Sequence, residues 1–300
     1  MEKNNKNNKK IKVIAEIGCN HQGKMDIARE MIINAANFCK VDVIKFQKRH
    51  PKECLTAEEY SAPHPVPQNS YGSTYGEHRE RLEFNLEEHR QLKKWCEEFG
   101  VDYSCSIWDM TSAKEIVSLN PKMIKVPSAN SDNFSILEYL CKNFSGEIHI
   151  SVGMTTKKEI EEIVNFFEKN ERNKDLVLYS CTSGYPIKFE EICLLEIKRL
   201  IELYDSRLKA IGFSGHHLGI AADIAAITLG SRYIERHFTL DRTWKGTDHA
   251  ASLEPIGMMK LVRDVYNVSG AIRYKEQDLL EVERVQRKKL KWKRSQENII

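Results

Sequence analysis

Two histidines, His216 and His237, each close what reads as a short buried strand: Gly212-Phe-Ser214-Gly-His216-His217 and Ile234-Glu235-Arg236-His237. Neutral imidazole is the commonest nitrogen ligand for a divalent metal, and two on adjacent strand ends can converge on one ion. The ordinary alternative is a hydrogen-bonded core histidine. Two of them beside an anion site tilt the reading toward metal. With only two protein ligands, coordination positions stay open for substrate oxygens and water, as a Lewis-acid catalyst requires. His21, His217 and His249 are weaker candidates, because loop histidines are commonly solvated.

Lys45 and Lys125 each stand inside a run of apolar neighbours, and lysine is rarely buried unpaired. An ion pair with Glu16 or Glu235 would satisfy them. A phosphate or carboxylate would also do so, with Ser104, Ser128, Ser151 and Ser214 adding neutral donors, since an oxyanion needs cationic charge plus directed hydrogen bonds. Glu16 is placed to act as a general base or to accept from a substrate hydroxyl. Asp248 in Lys245-Gly-Thr-Asp248 has the same choice, with a turn-capping role as the alternative. Gln47, Asn130 and the Thr182-Ser183-Gly-Tyr185 segment follow other apolar runs and complete the polar set.

These residues need a frame that brings strand ends together. Short β-branched runs alternate with stretches of helical period, the pattern of a parallel α/β fold. Strands are expected at 12–17, 43–47, 101–106, 123–126, 147–151, 176–180, 210–213 and 231–236. Helices are expected at 25–39, 86–99, 111–119, 134–143, 156–169, 191–204, 220–229 and 254–273. Eight strands alternating with eight helices predict a single-domain (β/α)8 TIM barrel over residues 11–275, whose C-terminal strand ends would gather the polar groups above. A 48–85 insertion after strand 2, with four prolines and three tyrosines, is too long for an ordinary connection and reads as an active-site loop or lid. Residues 1–10 read as a disordered polar tail. Residues 276–300 read as a charged tail whose basic stretch Arg287–Arg294 is a helix, a linker or a disordered end.

Bulk composition narrows the partners. Lys plus Arg number 46 against 43 Asp plus Glu, a net charge of +3, so nothing in the body calls for nucleic acid or a membrane surface. The eight cysteines form no C-x-x-C pair, which fits free thiols in a reducing compartment. No run of about 18 apolar residues occurs. A cytoplasmic enzyme is expected.

The motifs resemble those of the sialic acid synthases, more broadly the nonulosonate synthases that join phosphoenolpyruvate to an N-acylated sugar. They are Ala15-Glu16-Ile-Gly-Cys-Asn20-His21-x-Gly23, Lys45-Phe-Gln47, Lys125-Val-Pro-Ser128, Ser151-Val-Gly-Met154, Cys181-Thr-Ser-Gly-Tyr185-Pro186, Gly212-Phe-Ser214-Gly-His216, Glu235-Arg-His237-Phe-Thr-Leu-Asp241 and Gly246-Thr-Asp248-His-Ala-Ala-Ser252-Leu. They keep the family's order over residues 11–275.

The resemblance implies His216 and His237 as ligands of manganese or magnesium. It implies Lys45, Lys125, Ser128, Ser151 and Ser214 as the phosphoenolpyruvate cradle, with Ser183 where the family often has Asn. Glu16, Gln47, Tyr185 and Asp248 would meet the sugar. Asn130 stands where the family usually has a carboxylate, and Gly215 where it commonly has Asp. The family's C-terminal antifreeze-like domain, whose arginine reaches the neighbouring subunit's barrel, would begin near Ile300. Arg49, Arg79 or Arg81 of the insertion, or a separate chain, would supply that arginine, and a homodimer is one expected assembly. Two other functions stay open: a related barrel joining phosphoenolpyruvate to a phosphorylated aldose, as 3-deoxy-octulosonate phosphate synthases do, and a non-catalytic sugar-binding barrel.

Overall fold

The computed structural model of the protein describes residues 11–292; the expected disordered tract 1–10 and the last part of the basic tail lie outside the described residues. Eight strands, β1 (Lys12–Gly18), β2 (Val43–Lys48), β3 (Asp102–Ile107), β4 (Met123–Val126), β5 (Glu147–Ser151), β6 (Leu176–Cys181), β7 (Ala210–Gly215) and β8 (Tyr233–His237), form a closed barrel in sequence order. Every neighbouring pair is parallel, including β1 with β8. The expected (β/α)8 barrel is what the chain forms.

Period-two alternation builds both faces of the wall. One parity, such as Val13, Ala15 and Ile17 on β1 or Ile148 and Ile150 on β5, packs into the main core against the helices. The other parity points inward. Its lowest layer is an apolar plug of Ile14, Val43, Met123, Val177, Tyr179, Ala210 and Tyr233. One pleat higher the same parity turns polar, and strand register sets the neighbours: Glu16 pairs with Lys45 on one side and His237 on the other, Ser106 with Lys125, Ser214 with Glu235. Buried apolar residues below and polar residues above, on one strand face, are what aim the chemistry at one end of the barrel.

Helices α1 (Met25–Ile33), α2 (Pro51–Cys54), α3 (Ala57–Ser61), α4 (Tyr75–Leu82), α5 (Leu86–Glu98), α6 (Met110–Ser118), α7 (Phe134–Asn143), α8 (Lys157–Lys169), α9 (Leu195–Tyr204), α10 (Ala221–Thr228), α11 (Pro255–Ala271) and α12 (Glu281–Leu290) complete the described residues. The first expected helix divides at Ile33: a π-helical turn, Asn34–Phe38, follows α1. There the Cys39 N–H donates five residues back to the Asn34 carbonyl at 2.9 Å, and the widened turn leaves both Ala35 and Cys39 in the core. The 48–85 insertion is folded rather than irregular. Thr56 with Glu59 and Thr74 with Glu77 form capping boxes that start α3 and α4, a Thr-x-x-Glu signal present in the sequence. No helix among the described residues is long and apolar enough to cross a membrane.

Candidate active site

A cavity of about 330 Å³ opens at the C-terminal end of the barrel. Glu16, Lys45, Gln47 and Lys125 line one side with Ser128 and Ser151; Ser183, Tyr185, Ser214, His216 and His237 line the other. These eleven residues, scattered from position 16 to 237, are therefore brought to one place by the barrel.

At the floor two lysines meet two glutamates. Lys45 Nζ lies 2.5 Å from Glu16 Oε2 and 3.7 Å from Glu235 Oε1, and donates to Ser106 Oγ at 2.6 Å. Lys125 Nζ lies 3.1 Å from Glu235 Oε2 and 3.5 Å from the centroid of the Tyr179 ring, a cation–π contact. Ser214 Oγ donates to Glu235 Oε1 at 3.1 Å, and Gln47 Nε2 to Glu16 Oε1 at 2.8 Å. The ion-paired alternative for both lysines is thus present, and both ammonium groups still face the cavity.

The two carboxylates titrate in opposite directions. Burial pushes Glu16 up, and the adjacent Lys45 offsets this only in part. Burial is outweighed at Glu235 by Lys125 and Lys45, which hold it well below the usual carboxylate range. Burial lowers Lys125 by more than Glu235 restores. Two acids in one site pushed apart in this way is the arrangement in which one exchanges protons and the other stays a fixed charge, and Glu16 is the one suited to exchange.

The imidazoles of His216 and His237 lie with ring centroids 5.5 Å apart. Nδ1 of His216 is 2.9 Å from the Thr182 carbonyl, which can only accept, so Nδ1 carries the proton and Nε2 keeps its lone pair. Burial, with His237 beside it, lowers His216 to about 3, so the ring is neutral near pH 7. Nδ1 of His237 is buried without a hydrogen-bond partner, 3.9 Å from Asp248 Oδ2. Two imidazoles side by side fit a divalent ion. No group of three or more His, Cys, Asp or Glu among the described residues is arranged to hold one, so the remaining ligands would be substrate oxygens and water.

Three of the principal candidates, Ser104, Asn130 and Asp248, fall outside the cavity. Ser104 is one pleat too deep: its hydroxyl donates to the Met123 carbonyl at 3.1 Å, and Ser106, two residues on, takes the place at Lys45. Asn130 donates to the Trp108 carbonyl at 2.5 Å. Asp248 makes no side-chain cap for the turn it precedes; it stands behind His237, and His237 with Arg79 overcomes the effect of burial to keep its carboxyl lowered. The loop histidines are corrected outright. His21, His217 and His249 are 2%, 0% and 1% exposed: His21 stacks on Phe84 with centroids 4.0 Å apart, His249 Nδ1 bonds Thr239 Oγ1 at 2.7 Å, and His217 packs behind the barrel wall. Of the insertion's arginines, Arg49 is buried against Glu83 and contacts the Gln47 side-chain oxygen, Arg79 donates to the Tyr75 hydroxyl at 2.7 Å, and Arg81 is exposed.

Sequence reasoning left Glu235 and Ser106 out of the site. The signal for Glu235 is the one that selected Lys45: a charge at an inward position of an apolar strand. Gly153 was also unremarked. A Cβ there would sit 2.5 Å from Ser183 Oγ and 2.9 Å from Ser128 Oγ, so only glycine lets both hydroxyls close on the cavity. Its N–H donates to Ser128 Oγ at 3.1 Å.

Gly215 has a local cause. A Cβ at this position would lie 2.8 Å from His217 Cε1 and 2.9 Å from Phe213 Cε1. Gly215→Asp, the residue common in the resembling family, therefore overpacks the wall and is expected to destabilise by about 1–3 kcal/mol. A thermal scan checks this, and an unchanged Tm would mean that the His217 ring moves aside freely.

With the geometry in place, comparison with known proteins is informative. The sequence pattern of the NeuB family matches residues 31–277. The chain is 38% identical to the N-acetylneuraminate-9-phosphate synthase of Homo sapiens over 93% of its own length and 76% of that protein's. It is 31% identical to the N,N'-diacetyllegionaminic acid synthase of Campylobacter jejuni, over 88% and 78% of the two lengths. Its fold superposes on the crystal structure of the N-acetylneuraminic acid (sialic acid) synthetase from Leptospira borgpetersenii, solved with citrate, with a TM-score of 0.79 at 26% identity, covering 95% and 93% of the two chains. A barrel that gathers these side chains at one mouth, matched over this span and at these identities, makes the chain a member of the NeuB family and a sialic acid synthase-like enzyme.

Proposed function

We infer that the chain condenses phosphoenolpyruvate with the open-chain form of an N-acylated aldose, giving a nonulosonic acid and inorganic phosphate. The observation that carries this is the convergence of Lys45, Lys125, Glu16 and the His216/His237 pair on one cavity. C3 of phosphoenolpyruvate attacks the aldehyde carbon, whose oxygen takes up a proton. Water adds to the cation left at C2 and gives up a proton; the new C2 hydroxyl then forms the C2 carbonyl as the C2–O bond to phosphate breaks, its proton passing to the departing phosphate.

A divalent ion bound by His216 and His237 would supply Lewis-acid polarisation of the aldehyde. The protein's own groups do the rest. Lys45 and Lys125 hold the phosphate and its departing charge, with the hydroxyls of Ser128, Ser151, Ser183 and Ser214 as directed donors. Glu16, with its raised proton affinity, hands over and takes back the proton at the sugar. Gln47 and Tyr185, which line the cavity, would meet the sugar, with Asp248 acting from behind His237, and Arg49 and Arg79 are the insertion's candidates for its far end. Binding both substrates in one pocket removes much of the entropic barrier. All eight cysteines are free, which supports action in the reducing cytoplasm.

The test is phosphate release from phosphoenolpyruvate with manganese across N-acylated hexosamines, each offered with and without a terminal phosphate. Release with at least one sugar is expected, and the phosphorylated arm separates the two aldose classes. No release with any of them would overturn the reading.

A further inference from the structure

Behind the paired imidazoles lies a second polar cluster that the reaction does not use. Arg236 precedes His237 on β8, so strand alternation sends its side chain outward, away from the cavity. There it is 1% exposed, with Asp223 of α10 and His217 of the β7–α10 loop each at 0%. Nη1 meets Asp223 Oδ2 at 2.5 Å, the Gly219 carbonyl at 2.7 Å and His217 Nε2 at 3.1 Å. Nη2 donates to the His217 carbonyl at 2.5 Å.

Stability alone does not explain this cluster. Desolvation offsets much of the Coulomb gain of a buried ion pair, and Arg236 Nε, Asp223 Oδ1 and His217 Nδ1 are buried with no hydrogen-bond partner. What the guanidinium does supply is a span. It holds two backbone carbonyls just after His216 to the residue just before His237. The β7–β8 register ends at Gly215 with Arg236, so His216 lies past the last ladder pair and the arginine replaces the ladder beyond it. Gly215 belongs to the same arrangement, since the His217 ring occupies the space a Cβ would need.

We propose that Arg236 is a positioning residue: braced by Asp223, it fixes the spacing of the His216 and His237 imidazoles and thereby sets the affinity for a divalent ion. This rests on the metal reading above. Arg236→Lys keeps a cation opposite Asp223 but has no fork to span both carbonyls.

Manganese is titrated into the metal-free full chain, with free ion read by electron paramagnetic resonance. R236K should bind about ten- to a hundredfold more weakly than wild type, and raised manganese should recover its turnover, a rescue that a merely loosened fold would not show. Wild-type affinity in a folded R236K overturns the brace and leaves the metal site standing. No binding by the wild type itself overturns both. Should R236K fail to fold, Asp223→Asn, which keeps both carbonyl contacts, takes its place: a smaller loss of affinity supports the brace, and an unchanged affinity overturns it.

Discussion

Replacing His237 by alanine is expected to lower metal-dependent turnover roughly a thousandfold while leaving the fold in place. Lewis-acid assistance is worth several kcal/mol, and about 4 kcal/mol corresponds to that factor. The fold should survive, because the ring is at the cavity wall and its Nδ1 has no hydrogen-bond partner to orphan. Added manganese should not restore H237A, since one of the two proposed protein ligands would be gone. That separates it from R236K, where the ligands remain and only their spacing is disturbed. Steady-state assays over a manganese series make the comparison, and undiminished turnover by H237A would remove His237 from the metal site.

Lys125→Met carries the second large effect and decides between the two readings of the lysines. Lys125 is bound to Glu235 at 3.1 Å, so the substitution leaves Glu235 with the more distant Lys45 and with Ser214. Breaking a buried pair from one side destabilises by about 3–5 kcal/mol. Loss of a charged hydrogen bond to the phosphate should add a fall in kcat/KM for phosphoenolpyruvate of about ten- to a hundredfold, from about 1.5–3 kcal/mol. The double variant Lys125→Met/Glu235→Gln removes both charges. If Lys125 serves only to neutralise Glu235, the double variant recovers stability and kcat/KM together. If it binds phosphate, stability recovers and kcat/KM does not, and the latter is expected.

Much of this was legible because a parallel barrel writes its geometry into short-range sequence. A lysine in Val-Ile-Lys45-Phe and another in Met-Ile-Lys125-Val can be buried only inside the barrel, since their neighbours must face the helices. Histidines at the ends of two successive strands must then share a rim. The failures share a physical cause too. Ser104 and Ser106 have the same parity, and the strand register sets Ser104 opposite Lys45; only the reach of the lysine side chain one pleat higher brings its ammonium to Ser106 instead. Glu235 was visible as a partner for a lysine, but that it holds both ammonium groups at once depends on closure of the barrel. His217 reads as a solvated loop residue because nothing nearby in sequence announces that Arg236 and Asp223 will close over it. The insertion's capping boxes were local and readable, whereas contacts such as Arg49 with Glu83 join its two ends across more than thirty positions.

Diffraction from crystals soaked with phosphoenolpyruvate and manganese tests the central claim most directly. The account predicts an anomalous peak within coordination distance of His216 and His237, and phosphate density against Lys45 and Lys125. Manganese bound elsewhere, or phosphoenolpyruvate absent from the lysines with the ion in place, would contradict it.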